Sequence, residues 1–380
     1  MTHSSAPWRP ATRAVHTGHS VDPLTGAVAE AIQPSTTFAR DADYELIGHD
    51  YARTGNPNRE SWEACLTALE GGAAALAFAS GLAAQAALFQ AVLKPGAVVV
   101  LPTDMYHGGR RLAREVFGPW DVQTRIADPL DREATAQALV GADLLWIETP
   151  SNPTLKIIDI AALAELARAN GALAVCDNTL ATPLLQSPLH LGCAVVLHAS
   201  TKYLAGHSDV TGGALMFAET GEVFDRCRTV QHLAGAVPSA FDCWLARRGA
   251  MSLSARLAQQ SATALSLAQW LAAHPEIARV HYPGLPEHPG HGLAQRQMRG
   301  AGGVLSFELA DGAEAALGVA RRLSLIIRAT SFGGAHSTIE HRASIEGPDS
   351  PTPKGLLRLS CGLEDAEDLR ADLAQALSLS

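Results

Sequence analysis

The sequence predicts an α/β fold, with a mostly parallel central sheet followed by a smaller C-terminal α+β domain. Three observations predict it. Short apolar runs alternate with helical stretches, polar residues stand directly after each run, and the pattern changes after Asp242.

The runs are Val98 to Leu101, closed by Pro102; Leu144 to Ile147, closed by Glu148-Thr149-Pro150; Leu173 to Cys176, closed by Asp177; and Val195 to Leu197, ending near His198. Helical stretches such as Ile160 to Asn170, stopped by Gly171, separate them. Continuously apolar strands with helices between them imply a parallel sheet covered on both faces. Polar residues past the strand ends then gather at one sheet edge, where open α/β sheets bind ligands. Residues 1–58 are irregular, with Pro10, Pro23, Pro34 and Pro57 spaced through them, and are expected to form an arm contacting a neighbouring subunit. From Arg59, Trp62, Cys65, Leu66 and Leu69 share one helix face, and Gly71-Gly72 end it. Residues 59–245 are expected to form the ligand-binding domain, and residues 246–380 the C-terminal domain, with a long helix near 252–273 and a strand at 303–308.

The length of 380 residues suits two packed domains, and 47% hydrophobic with 18% charged residues is ordinary for a globular chain. The net charge is −9 and no Lys/Arg block occurs, so neither nucleic acid nor an anionic membrane is an expected partner. Six cysteines without a Cys-x-x-Cys pair point away from a metal knuckle and toward a reducing, cytoplasmic setting. The start, Met1 to Ser5, lacks a basic region followed by an apolar run, so no signal peptide is expected. The apolar stretch from Ala73 to Leu93 is broken by Ser80, Gly81, Gln85 and Gln90 and reads as a buried element rather than a membrane span.

Lys202 lies in His198-Ala199-Ser200-Thr201-Lys202-Tyr203-Leu204-Ala205-Gly206-His207-Ser208. A lysine after a strand is commonly a surface residue, but these small and hydroxylated neighbours suit a ligand. Thr201 can donate to a phosphate, Gly206 lets backbone approach, and a lysine so placed loses its proton more readily. Asp177 is either a turn former or an acid facing a ligand from the adjacent strand end. Ala79-Ser80-Gly81-Leu82 opens a helix, which leaves N–H groups for a phosphate or is simply a tight helix start. Tyr51-Ala52-Arg53-Thr54-Gly55-Asn56-Pro57 carries a guanidinium fork and a phenol, for a second subunit's site or for solvent. Tyr106 is a stacking ring or a core tyrosine, and Asn152 stands beside the same sheet edge. A lysine for an aldehyde, an acid for a pyridine nitrogen, a phosphate cup and a flat ring are parts that pyridoxal 5′-phosphate (PLP) chemistry needs. The expected cofactor is therefore PLP, carried by Lys202 as a Schiff base.

Together these segments resemble the Cys/Met-metabolism family of PLP enzymes, which includes cystathionine γ-synthase, cystathionine γ-lyase, cystathionine β-lyase and methionine γ-lyase. The likeness runs from about residue 12 onward and includes Leu233-Ala234-Gly235-Ala236-Val237-Pro238-Ser239 and Tyr282-Pro283-Gly284-Leu285. The resemblance implies an aminotransferase-like type I PLP fold and a homotetramer of two catalytic dimers, acting on a small sulfur-containing amino acid. It implies that Lys202 and Tyr106 are catalytic and that Asp177 partners the pyridine nitrogen. Gly81, Leu82 and Thr201 match phosphate-binding positions, and Tyr51 and Arg53 match residues that reach a neighbouring subunit's cofactor. Asn152, Ser331 and Arg358 match positions that hold the substrate carboxylate.

The departures bear on the reaction. Ala199 stands where a phosphate-binding serine is common in the family, and Gly108 where methionine γ-lyases carry a cysteine. Thr330 replaces a glutamate usual in the γ-enzymes, His336 also stands where glutamate is usual, and the loop from His341 to Lys354 is shorter. Asp50 keeps an acid typical of γ-enzymes. The loss of acid at Thr330 leads to the expectation of a carbon–sulfur lyase favouring α,β-elimination, with γ-synthase or γ-lyase chemistry as the alternative. An aminotransferase and a PLP-binding protein without turnover are the other classes weighed; retention of Lys202, Tyr106 and Arg358 opposes the latter.

Overall fold

The computed structural model describes residues 8–347 and 352–378; the expected leaderless start and part of the shortened loop lie outside them. Seven strands form the larger sheet: β1 (Ala74–Phe78), β2 (Val98–Pro102), β3 (Gln123–Ala127), β4 (Leu144–Glu148), β5 (Leu173–Asp177), β6 (Val195–His198) and β7 (Gly213–Phe217). Their spatial order is β1-β7-β6-β5-β4-β2-β3, and β6 through β3 run parallel. Alternate side chains explain why the inner runs β2 and β4 are apolar throughout, whereas the edge strand β3 is polar and partly exposed. Val99, Leu101, Leu144 and Trp146 pack on one face with the helix Gly81–Val92, whereas Val98, Val100, Leu145 and Ile147 pack on the other with Ile160–Ala169.

The antiparallel strand β7 lies between β1 and β6. Gly213 permits this: a Cβ there would meet the Ser80 carbonyl oxygen at 2.2 Å. The close approach seats the Ser80-Gly81 turn against the sheet, at the start of the helix Gly81–Val92. The Ser80 side chain caps that helix by accepting from the Ala83 N–H at 3.0 Å.

Five further strands form the second sheet: β8 (Ile277–His281), β9 (Val304–Leu309), β10 (Ile327–Arg328), β11 (Thr338–His341) and β12 (Leu356–Ser360), in the order β10-β11-β12-β9-β8. Antiparallel pairing sets Glu340 on β11 opposite Arg358 on β12. The long helix Leu253–Ala272 packs by Ala264, Leu267 and Leu271 into the core of this sheet, while Leu253 and Leu257 join the core beneath β7. Residue 245, where the sequence suggested a boundary, falls inside the helix Ala240–Met251; the helices break at Ser252.

The N-terminal segment is less irregular than its composition implies. Pro10–His16 is a helix whose Ala14 is fully buried, and Arg247 donates to the Ala14 and Val15 carbonyls at 2.8 Å each. Proline at a first helical position is compatible with a helix start, which is why the proline pattern misled there. The helix read from Arg59 begins two residues earlier, at Pro57, with Asn56 accepting from the Asn58 and Arg59 N–H groups.

Candidate active site

A cavity of about 350 Å³ lies at the C-terminal ends of β4, β5 and β6, between the two sheets. Its lining includes Gly81, Leu82, Tyr106, Asn152, Asp177, Thr201, Lys202, Ser331 and Arg358, so nine of the eleven sequence-derived site residues meet there.

Lys202 follows β6 in a loop held from behind. Arg256 donates to the Tyr203 carbonyl at 2.8 Å and to the Gly249 carbonyl at 2.9 Å, and the Tyr203 hydroxyl accepts from the Gly303 N–H at 3.1 Å. Gly206, at φ +74°, lies so close to the Arg256 guanidinium that a Cβ would meet it at 2.1 Å. The Lys202 Nζ donates to the Ser331 Oγ at 2.7 Å. Burial, followed by the nearby Arg358 cation, pushes the Lys202 ammonium down to about 8. Roughly a tenth of the amine is then unprotonated near pH 7.

Asp177 ends β5 and accepts from the Thr179 N–H at 3.0 Å and from the Thr179 hydroxyl at 2.5 Å. Burial raises its carboxyl above the ordinary aspartate range, although the Thr179 bonds and the charges of His198 and Lys202 act the other way. Glu148 sits opposite it in the β4–β5 register. Burial and the Asp177 charge raise Glu148 well above its ordinary value. Both Glu148 oxygens accept from the Tyr106 N–H at 3.0 Å, which fixes the backbone of that aromatic residue.

Arg358, Asn152 and Ser331 form one bonded group. Arg358 donates to the Asn152 Oδ1 at 2.7 Å, to the Ser331 carbonyl at 2.8 Å and to Glu340. Ser331 is held at φ +82°, a left-handed conformation costly for a residue with a Cβ and typical of functional sites. Burial pulls Arg358 down to about 10, still cationic at neutral pH. The Thr201 hydroxyl accepts from the Gly212 N–H at 2.9 Å. Thr330 and Ala199 also line the cavity, whereas His336 is exposed.

Tyr51 and Arg53 do not join this cavity. They line a separate open pocket of about 610 Å³ with Arg40 and Asp50, where Arg40 pairs with Asp50 at 3.1 Å. The Arg53 guanidinium donates to the His232 carbonyl and stands 5.5 Å from the centre of the Tyr51 ring.

The structure adds Glu148, His107, Glu340 and Arg342 to the lining. Glu148 had a usable signal, since it ends an apolar strand as Asp177 does. The other three had none in the local pattern. Gly108 also acquires a reason: a Cβ there would meet the Tyr106 ring at 2.6 Å. Gly108→Ala is therefore expected to displace that ring and lower kcat about tenfold, with little change in melting temperature. Steady-state assays beside thermal unfolding check this.

The cavity fits PLP on its own terms. The Gly81 and Leu82 N–H groups open the helix Gly81–Val92, where amides lack intrahelical acceptors and favour a phosphate. Asp177 is a buried acid suited to a cationic ring nitrogen, and Lys202 is a buried amine suited to an aldehyde. Fold and site together define a PLP-dependent enzyme acting on amino acids.

The chain matches the family described as "Cys/Met metabolism PLP-dependent enzyme" over residues 11–378, and it belongs to that family. It is 47% identical to the cystathionine gamma-synthase of Mycobacterium tuberculosis over 375 residues, covering 97% of this chain and 96% of that one. It is 40% identical to the cystathionine beta-lyase of Coxiella burnetii over 376 residues, covering 96% and 97% of the two chains. The crystal structure of cystathionine gamma synthase from Xanthomonas oryzae pv. oryzae in complex with cystathionine superposes with a TM-score of 0.95 at 39% identity, covering 98% of each chain. The fold is thus that of the PLP-dependent cystathionine synthases and lyases, as the sequence led one to expect. Among the described residues no helix is long and apolar enough to cross a membrane.

Proposed function

We propose that the protein joins an activated L-homoserine to cysteine by replacement at the γ-carbon, in the manner of a cystathionine γ-synthase. The observation that carries this reading is the 47% identity to such an enzyme along nearly the whole chain. It displaces the α,β-elimination favoured on sequence grounds from first place. That second reading keeps one supporting observation: Thr330 lines the cavity and cannot supply the negative charge that the resemblance associates with γ-chemistry.

The site residues are assigned accordingly. Lys202 would hold the cofactor aldehyde, Asp177 the pyridine nitrogen, and Gly81, Leu82 and Thr201 the phosphate. When bound, PLP supplies an electron-withdrawing ring that stabilises negative charge at the substrate α-carbon. Arg358 and Asn152, with Ser331, orient the substrate carboxylate. Once the substrate amine has taken its place on the aldehyde, the freed Lys202 Nζ would remove the α-proton and, for departure at the γ-carbon, move a further proton at the β-carbon. Tyr106 would stack on that ring and assist proton movement from its hydroxyl. Tyr51 and Arg53 belong to an arm (residues 1–58) that completes a neighbouring subunit's site, within a tetramer of two catalytic dimers in the cytoplasm. The chain from residue 59 to the helix break at Ser252 forms the PLP-binding domain, and the residues after it the C-terminal domain.

The holoenzyme is expected to convert an O-acyl-L-homoserine and cysteine into cystathionine, followed by chromatography. Failure to condense them, together with release of pyruvate and homocysteine from cystathionine, would install the β-lyase reading instead. In that case Thr330→Glu should shift the keto-acid product toward 2-oxobutyrate.

A further inference from the structure

β1 is the end strand of the larger sheet, so the outer edge of Ala74–Phe78 has no strand to bond. A backbone N–H or C=O left unpaired in a buried setting is costly. At Ala77, which is fully buried, two side chains take the place of that missing strand. The Glu63 Oε1 accepts from the Ala77 N–H at 2.8 Å, and the Gln231 Nε2 donates to the Ala77 carbonyl at 2.8 Å. The same Nε2 donates to the Glu63 Oε1 at 3.0 Å, which closes the clamp. Glu63 belongs to the helix Pro57–Glu70 and Gln231 to the helix Glu222–Ala234. Two residues past Ala77, the Ala79 N–H donates to the Ala236 carbonyl at 2.8 Å, and the chain turns through Ser80 into the helix start at Gly81 and Leu82.

Glu63 has a third partner. The Arg59 Nε stands 3.8 Å from the Glu63 Oε1, and both side chains are largely enclosed, at 3% and 17% exposure. The Arg59 guanidinium donates to the Ala52 carbonyl at 2.8 Å and to the Arg53 carbonyl at 3.3 Å. Arg53 in turn donates to the carbonyl of His232, the residue next to Gln231. One carboxylate thus meets, through single neighbours, both the strand that leads to Gly81 and the segment that carries Tyr51 and Arg53. A glutamine in its place could accept from Ala77 and Gln231 equally, so those two bonds do not call for an acid. Burial raises the Glu63 carboxyl to about 7, so its ionisation increasingly opposes folding as pH rises from the ordinary glutamate range to that value. A charge kept at that cost needs another reason, and Arg59, whose guanidinium fixes the arm, provides it.

We propose that Glu63 is a positioning residue for two cofactor sites: through Ala77 it sets the phosphate cup of its own subunit, and through Arg59 it sets the 51–53 segment that a neighbour uses. This rests on the reading of residues 1–58 as an arm completing a neighbouring subunit's site, and adds the link between that arm and the cup.

The test uses hybrid catalytic dimers of two differently tagged full-length chains, one of them Lys202→Ala. Schiff-base absorbance then reports only the site of the lysine-bearing chain. Cofactor-free hybrids are titrated with PLP. Glu63→Gln keeps the shape and the acceptor oxygen and removes the charge. Placed in the lysine-bearing chain it is expected to raise the PLP Kd about fivefold, and placed in the Lys202→Ala chain about as much, the difference between a charge-assisted and a neutral hydrogen bond. The cofactor-free Glu63→Gln protein should melt no lower than wild type at neutral pH, which separates lost positioning from lost structure. Arg53→Ala in the Lys202→Ala chain is the control for the arm and should raise the Kd of the reporting site. With that control positive, a rise from only one placement of Glu63→Gln would refute the link, because a local brace of β1 acts on its own site alone. A rise from neither would remove Glu63 from positioning altogether. With the control negative, the shared-site reading fails, and Glu63→Gln in the lysine-bearing chain decides: an unchanged Kd there overturns the inference.

Discussion

Lys202→Ala is expected to lower turnover by about 10⁴-fold, the upper range for loss of a positioned proton-transfer group. The same replacement should abolish borohydride fixation of the cofactor, which in the wild-type protein maps by peptide analysis to Lys202. The fold should survive, because Lys202 is tied to its surroundings by one side-chain bond, to Ser331, while Arg256 and Tyr203 hold the loop. Label on another lysine, or full activity in the variant, would remove the central assignment.

Asp177→Asn should reduce kcat by about 10²- to 10³-fold, the range for removing one preorganised electrostatic partner. Asparagine is nearly isosteric and keeps an oxygen to accept from the Thr179 N–H and hydroxyl, so the loss isolates charge from shape. A second readout has the opposite sign. Burial raises the folded-state pKa of Asp177 above its unfolded value, so above the ordinary aspartate range its ionisation opposes folding of the cofactor-free chain. That opposition grows as pH rises toward the folded pKa and is full beyond it. The cofactor-free Asp177→Asn protein should therefore melt higher than wild type at neutral pH while being the poorer enzyme. Activity unchanged by the substitution would exclude Asp177 as the partner of the pyridine nitrogen.

The parallel strands β2, β4, β5 and β6 were legible because each reads as an unbroken apolar run, whereas the partly exposed parallel edge strand β3, with Gln123, Thr124 and Arg125, was not. The strand ends then delivered Asp177 and Lys202 to one edge, and Tyr106 followed from the end of β2. β1 was not legible as a strand. Ala74–Phe78 lies inside a longer alanine-rich stretch in which no period separates the strand from the helix that follows. The antiparallel insertion of β7 also escaped, since it depends on the contact between Gly213 and the Ser80 carbonyl, a tertiary fact with no local signature. Glu340 and Arg342 escaped for a related reason. Glu340 lies on the short strand β11 and Arg342 opens the helix that follows it, and what makes them part of the site is the packing of the second sheet against the first. Arg358 was found only through the family resemblance, because an arginine within an apolar strand carries no functional meaning by itself.

Glu340 answers to two masters. One oxygen accepts from Arg358 and the other from Arg342, all three side chains being almost fully enclosed. Without Arg342 the carboxylate would fall more completely to Arg358, which would then have less to offer a substrate carboxylate. Glu340 thus couples the two arginines, and contacts sharing one network commonly couple by about 0.5–3 kcal/mol. Changes at positions 342 and 358 will not combine additively. Any redesign of specificity here must therefore treat Glu340 and both arginines as one unit.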